Sequence, residues 1–326
     1  MMNSPTLNVL IIGCGNIAGG FDAVRADNAL PFTHAGAYRK HGGFTLGACI
    51  DPDAQKREAF QNHWQVKNAY AKLDPAQHTA GEFDVISICS PTANHAEQID
   101  AAIALEPKLI FCEKPVTTLL ADTLYCVQRC DEEGIQFAVN HTRRWAPDVL
   151  RLQQELKSGH WGQVRAVVAH YNKGILNNGA HMLDLLRFLF GSLNLDSADK
   201  PVWDFWPDDP SIAALLHSEA GIPISLSVAH ASDYAFFELQ IITERGALSM
   251  ENGGLNWRIR RTIQSPDFKD YRSLGAGEML EGEYAMAMTN AINNIYNAVT
   301  SGEPLASDGN SALEAQRLCE QIRKVA

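Results

Sequence analysis

Leu7-Asn8-Val9-Leu10-Ile11-Ile12-Gly13-Cys14-Gly15-Asn16-Ile17-Ala18 is the stretch whose reading decides the fold. Its first half is a short, mostly apolar run, the pattern of a strand buried on both faces of a parallel sheet. Its second half has the spacing G-x-G-x-x-A. Gly13 and Gly15 permit a tight turn and let backbone N–H groups, those of Asn16 and Ile17 among them, approach a pyrophosphate at the start of the next helix. Ala18 is small enough for that helix to pack closely on the strand. By itself the pattern is weak evidence, so the chain that follows must supply the remaining parts of a dinucleotide-binding sheet.

Moving outward, Phe44 to Ile50 reads as the next strand and ends at Asp51, where a carboxylate accepts hydrogen bonds from an adenosine ribose. Its charge repels a 2′-phosphate, so NAD is expected over NADP. Lys56 and Arg57 follow closely, however, and keep NADP open. The distance from the glycines to Asp51 exceeds the usual spacing of about 20 residues. The excess is Gly19 to Pro31, a polar segment expected to interrupt or precede a helix resuming near Thr33. It reads either as a border of the cofactor or as a surface insertion.

Asp53 to Trp64 has the pattern of a helix. Phe83 to Cys89 is another buried strand, ending in Ser90, Pro91 and Thr92, with Thr92 or Asn94 as the N-cap of a helix over Ala96 to Leu105. His95 is either a lining of the nicotinamide crevice or a structural histidine. Lys108-Leu109-Ile110-Phe111-Cys112-Glu113-Lys114-Pro115 then places a buried strand directly before Glu113 and Lys114. Proline disfavours helical backbone in the residue before it, so Lys114 is held extended at the strand's exit, the edge where open α/β sheets bind ligands. A lysine there presents a compact charge and three donors to the crevice. A helix over Leu119 to Asp131, stopped at Gly134, and a strand over Ile135 to Val139 complete a doubly wound parallel sheet.

From Asn140 the pattern changes, and the domains are expected to be 1–140 and 141–326. Asn140-His141-Thr142-Arg143-Arg144-Trp145 leads into a helix, and a strand runs to Tyr171. Strands over Ser211 to Ser218, Ile222 to His230, Ala235 to Thr243, Ala247 to Met250 and Leu255 to Ile263 follow with hairpin-like turns, the pattern of an open, mostly antiparallel sheet in an α+β domain. In Ile224 to Ala229 bulky and small residues alternate, which gives one face for helices. Phe236 and Ile242 lie on the other face, and a homodimer or homotetramer through this sheet is expected. Helices over Glu281 to Val299 and Ser311 to Val325 close the chain.

The chemical stretch of this half runs from Lys173 through Asn177, Asn178 and His181 to Asp184 and Gly191. Polar, glycine-bearing residues give way to an apolar helix, so an Asn is expected as its cap with His181 in the first turn and Asp184 one turn on. The helix dipole favours neutral imidazole and Asp184 pulls the other way. The two readings are a poised proton acceptor and a core histidine bonded to Asp184. Arg143, Tyr171, Lys173, Asn177 and Asn178 are the candidates for gripping a hydroxyl-rich substrate.

Composition narrows the classes. The 326 residues are 46% hydrophobic and carry a formal net charge of -11, which disfavours a nucleic-acid binder tracking phosphates. No stretch spans a bilayer, and a soluble, cytoplasmic protein is expected. The seven cysteines have no zinc-like or redox spacing, so free buried thiols and no metal site are expected.

With these pieces in view the chain resembles the Gfo/Idh/MocA family of nicotinamide-dependent oxidoreductases. The resemblance rests on Gly13-x-Gly15-x-x-Ala18, on Ser90-Pro91-Thr92 at a strand end, on Glu113-Lys114-Pro115 and on His181-x-x-Asp184. It implies a Rossmann domain followed by an open α/β domain. It also implies that Lys114 and His181 act on the hydroxyl or carbonyl of a sugar, sugar nucleotide or polyol, with Glu113 and Lys114 beside NAD or NADP. Many members place an aspartate where this chain has Asn177, and an asparagine cannot take up a proton, so Asn177 is expected to orient substrate or cofactor. Rival readings are a non-catalytic NAD-binding regulator and an oxidoreductase acting on a non-sugar cyclic compound.

Overall fold

A computed structural model describes residues 5–26 and 28–326. Two compact units emerge, one comprising residues up to Trp145 together with Ala285–Leu313, the other Ala146–Tyr284 with Glu314–Ala326.

The first unit is built on six parallel strands, β1 (Leu7–Ile12), β2 (Phe44–Ile50), β3 (Asn68–Tyr70), β4 (Val85–Ile88), β5 (Leu109–Cys112) and β6 (Gln136–Val139), in the order β3-β2-β1-β4-β5-β6. This is the doubly wound order, with its reversal between β1 and β4. Strand β3 was not anticipated, being three half-buried residues with no apolar run. Helices α1 (His34–His41), α2 (Ala54–Trp64), α3 (His95–Ile103) and α4 (Leu120–Glu132) connect the strands. Asp53 starts α2 by accepting the N–H groups of Gln55 and Lys56, satisfying two of the donors every helix start leaves over. Neither Thr92 nor Asn94 caps α3 with its side chain. Thr92–Asn94 forms a 3-10 turn that runs into the helix.

In the second unit α5 (Pro147–Lys157) precedes β7 (Val164–Tyr171), and α6 (Ala180–Phe190) precedes a run of strands, β8 (Leu193–Ala198), β9 (Ala214–Ser218), β10 (Pro223–Val228), β11 (Phe237–Thr243), β12 (Gly246–Glu251), β13 (Asn256–Gln264), β14 (Arg272–Leu274) and β15 (Glu278–Glu281). They form one sheet in the order β14-β13-β12-β11-β7-β10-β9-β8, with β15 also on β13. Only β7 and β10 pair in parallel. Ile224 and Leu226 are buried as the alternation predicted, whereas Leu215 and Ile242 on the opposite face stay exposed. Strands β8, β14 and β15 were not anticipated, β14 and β15 being short and largely exposed and β8 burying only Leu193.

The helix read over Glu281 to Val299 is α7 (Ala287–Ser301), and it packs with the first unit rather than with the rest of the chain after residue 140. Its Asn294 accepts the Trp145 indole N–H at 3.0 Å, and its Tyr296 ring lies against His41 and Phe44. An amphipathic helix announces an apolar stripe but not which sheet will cover it. The last helix, α8 (Gly309–Val325), is divided between the units at Leu313. All seven cysteines are buried and free, and no helix among the described residues is long and apolar enough to cross a membrane.

Candidate active site

In the first unit, the C-terminal ends of β1, β2, β4 and β5 share one edge. Gly13 has φ +92°, and a Cβ there would sit 2.7 Å from the Ser90 backbone nitrogen, so only glycine lets β1's turn meet the end of β4. Gly15 has open space where its Cβ would project. The turn continues as a π-helical turn over Asn16–Gly20 in which Ala18 is fully buried. The first N–H groups of such a turn have no partner within it and point outward, the arrangement a pyrophosphate needs.

Asp51 ends β2 as expected. Its Oδ2 accepts the Cys14 N–H and its Oδ1 the Asp53 N–H, at 2.8 and 2.9 Å, which ties the glycine turn to β2. The carboxylate is half-buried and keeps further lone pairs for ribose hydroxyls. Arg57 reaches back to the Asp51 carbonyl at 2.5 Å, and Lys56 is exposed on the first turn of α2. These residues fit a dinucleotide.

Between the ends of β4 and β5 sits His95, and here one of the two readings fails. The ring is 1% exposed. Its Nε2 lies 2.8 Å from the Ser90 carbonyl, and its Nδ1 lies 3.0 Å from the Val116 carbonyl and 3.2 Å from that of Pro115. With both nitrogens turned to backbone, His95 is a strut between two strand-end loops and not a cofactor contact. Ser90 and Thr92 are half-buried on this edge and Pro91 is exposed. The Ser90 hydroxyl donates to Gln98 at 2.5 Å.

Glu113 and Lys114 leave β5 together. Burial alone would push the Glu113 carboxyl up, but hydrogen bonds from His34 and Asn140 and the Lys114 charge outweigh it and hold the group below the ordinary carboxylate value. A depressed native value means that the ionised form stabilises the fold above the unfolded-state value and that this contribution disappears as pH falls through the native one. Denaturant melts run at successive pH values below about pH 4.5 should show wild type losing stability more steeply than Glu113→Gln.

The second unit's polar turn takes a different form from the expected Asn cap. Lys173 adopts a left-handed conformation, φ +66°, and opens a π-helical turn over Gly174–Gly179 that runs straight into α6 with no side-chain cap. The turn is held from outside. Asp209 accepts the N–H groups of Leu176 and Asn177, both at 2.9 Å. Asp204 accepts the Lys173 N–H and the Ser211 hydroxyl, and Ser211 in turn accepts the Gly174 N–H. Burial raises the Asp209 carboxyl above its usual range despite the two amide bonds. A Cβ on Gly174 would fall on Asp209 at 2.1 Å, so the glycine is required by this close approach.

Asn177 and Asn178 are half-buried on the turn, and Asn177 Nδ2 donates to the Lys173 carbonyl at 3.1 Å. His181 is half-buried on the first turn of α6, and Asp184 lies buried beyond it. The Lys173 ammonium lies 5.1 Å over the Phe205 ring. Tyr171 leaves the list of substrate contacts. It is fully buried, and its hydroxyl donates to the Ile212 carbonyl at 2.8 Å and accepts the Ile212 N–H at 2.7 Å. In the first unit, Arg143 lies on the 3-10 turn Thr142–Trp145 after β6. His34, Asp204, Asp209 and Ser211 escaped the sequence reading because no spacing links them to the groups they hold.

Residues 7–141 match the family model described as an oxidoreductase family with an NAD-binding Rossmann fold, Gfo/Idh/MocA. Over these residues the chain resembles the Gfo/Idh/MocA oxidoreductase family. An inositol 2-dehydrogenase of Rhizobium meliloti (strain 1021) is 25% identical over 77% of this chain and 81% of its own. A D-apiose dehydrogenase of Paraburkholderia graminis is likewise 25% identical, over 62% of this chain and 58% of its own. Among solved structures, the WlbA dehydrogenase of Bordetella pertussis in complex with NADH and UDP-GlcNAcA superposes with a TM-score of 0.76 at 17% identity, covering 98% of this chain and 96% of that one. The likeness in fold to that structure covers residues of both units, and Glu113-Lys114-Pro115 of this chain follows the end of β5.

Proposed function

We propose that the protein is an NAD-preferring dehydrogenase or reductase that moves a hydride reversibly between nicotinamide and a carbon bearing a secondary hydroxyl. Its substrate is a sugar, a sugar nucleotide or a polyol. The observation that carries this reading is Lys114, half-buried at the end of β5 on the edge it shares with Gly13, Asp51 and Ser90. Nicotinamide supplies the redox chemistry when bound. Lys114 stabilises the developing alkoxide by charge and hydrogen bonding, and His181 accepts the hydroxyl proton. Asn177, Asn178, Lys173 and Arg143 are assigned to substrate hydroxyls, and Asn177 orients without carrying a proton. The relatives named for inositol and D-apiose support a hydroxyl-rich substrate. The exposed face of the second sheet, with Leu215 and Ile242, is assigned to a homodimer or homotetramer contact.

The test is nicotinamide absorbance with NAD or NADP against myo-inositol, D-apiose and a set of UDP-sugars. Turnover of at least one supports the reading. Saturable NAD binding with no turnover across hydroxylated compounds would instead favour a regulator. Cofactor choice has its own expected result. Asp51→Ser removes the charge facing a 2′-phosphate and should shift the ratio of kcat/KM values toward NADP by roughly tenfold or more.

A further inference from the structure

Residues 21–32 form an excursion between the glycine turn and α1, and the way it ends is specific. The Asp22 carboxylate accepts the N–H groups of Phe32 and Thr33 at 2.9 Å each and the Thr33 hydroxyl at 2.6 Å. The Thr33 oxygen then accepts the Gly36 N–H and caps α1. The excursion, α1 and the end of α2 together line a cavity of about 390 Å³. Its charged lining is Asp22, Arg25, Arg39 and Lys40, joined by the rings of His63 and Trp64, whose centroids are 4.7 Å apart. None of these residues stands on the edge shared by Gly13, Asp51, Ser90 and Lys114. Helix α2 has 11 residues, so Trp64 at its end lies about 15 Å along the axis from its start beside Asp51.

Two of the cations are held in place by the excursion itself. The Arg25 guanidinium sits 3.9 Å over the Phe32 ring and donates to the Leu30 carbonyl at 3.0 Å. Lys40 Nζ donates to the adjacent Ala29 carbonyl at 3.2 Å, which leaves its other donors unspent. Arg39 is exposed, and its guanidinium has no hydrogen bond or ion pair among the described residues. Asp22 is the one carboxylate among the described lining residues, and its oxygens are already engaged by Phe32, Thr33 and, at 3.3 Å, Arg25. Asp27, also in the excursion, lies outside the described residues. The lining thus concentrates positive charge in a chain whose formal net charge is -11. Like charges so gathered repel, an oxyanion among them relieves the repulsion, and guanidinium with ammonium is the donor set that takes phosphate or carboxylate.

We infer that this cavity is a second anion site, separate from the nucleotide edge, for a small metabolite bearing a multiply charged oxyanion. Its volume of about 390 Å³ falls within the range of small-molecule sites, about 300–1,000 Å³, and exceeds what a lone ion fills. The excursion then has a task, which is to set Arg25 and Lys40 around that ligand. Neither the cavity nor its test depends on the reading of Lys114 and His181.

Isothermal titration calorimetry of the whole protein tests the site without any turnover. NAD is kept at saturation, so that the pyrophosphate's place on the glycine turn is taken. Glucose 6-phosphate and citrate are the anionic probes, and myo-inositol is the neutral control. Wild type should bind at least one of the two anions saturably, and the tighter one names the headgroup as phosphate or carboxylate. Arg39→Gln and Lys40→Gln should each weaken that binding by about tenfold, the loss of a charge-assisted hydrogen bond. Lys173→Gln, which removes a cation assigned to the substrate, should leave it within about twofold. The affinity for myo-inositol should be the same in Arg39→Gln as in wild type. Absence of saturable anion binding in wild type would overturn the inference. So would an anion affinity that both Arg39→Gln and Lys40→Gln leave unchanged, or one that Lys173→Gln lowers as much as they do. Both cations are exposed, so their variants should keep the fold, which far-UV circular dichroism checks. A protein that turns over no hydroxylated compound loses the enzymatic reading and leaves this result standing.

Discussion

Lys114→Ala should lower kcat for whichever hydroxylated compound the panel identifies by about three orders of magnitude, while the Kd for NAD changes by less than about threefold. The asymmetry follows from where charge appears. As a secondary alcohol gives up its proton, or as hydride reaches a carbonyl, negative charge builds on one oxygen, and a fixed donor aimed at that oxygen acts mainly in the transition state. Removing one such donor costs on the order of 100-fold to 1,000-fold, and losing a full positive charge belongs at the upper end. NAD affinity, by contrast, rests on groups spread over the glycine turn and Asp51. Steady-state kinetics paired with a fluorescence titration of NAD separate the two quantities. A kcat within a few-fold of wild type would end the assignment of Lys114, and an equal loss in kcat and NAD affinity would recast it as a cofactor contact.

Gly13→Ala is expected to be the most damaging small substitution in the first unit. The added methyl would meet the Ser90 nitrogen at 2.7 Å and the Cys89 carbonyl carbon at 2.8 Å, both backbone atoms, at a φ of +92°. Neither neighbour is the flexible end of a side chain, so β1 and β4 must separate. A left-handed alanine costs about 1–2 kcal/mol and overpacking a further 1–3 kcal/mol. The expected result is a loss of about 2–5 kcal/mol in urea unfolding, with NAD affinity reduced at least about 100-fold because the turn that meets the pyrophosphate is displaced. Gly15→Ala is the control for stability. Its Cβ meets nothing within 4 Å, so it should fold normally and lose NAD affinity alone. Equal melting of Gly13→Ala and wild type would show that the strand ends tolerate separation.

How legible the molecule was depends on the range of the interaction concerned. The strand-turn at Leu7 to Ala18, Asp51 after β2 and Glu113-Lys114 after β5 are local patterns, each a buried apolar run followed by the residue that leaves it. In a parallel sheet all such exits fall on one edge, so a list along the chain became a site in space. Alternation in Ile224 to Ala229 likewise foretold which face of the second sheet is buried, because side chains on a strand change face at every residue. The helix read over Asp53 to Trp64 was local in the same way, although Asp53 proves to be its cap, bonded to residues two and three places on, and not its first helical residue.

What the amino-acid order determined by itself is therefore the pair of sheets, the nucleotide edge and the lysine placed on it, all consequences of period and of neighbours a few residues apart. Tertiary structure alone decided that α7 serves the first unit, that His95 and Tyr171 are struts with their polar atoms spent on backbone, and that Asp209 and Asp204 hold the turn carrying Asn177. It also brought His34 to Glu113 across the sheet's connections. Apart from the His95 contact to the Ser90 carbonyl five residues back, these are hydrogen bonds between groups about twenty residues or more apart, and a polar side chain's partner at that distance is set by how the packed core returns the chain, which no local spacing encodes.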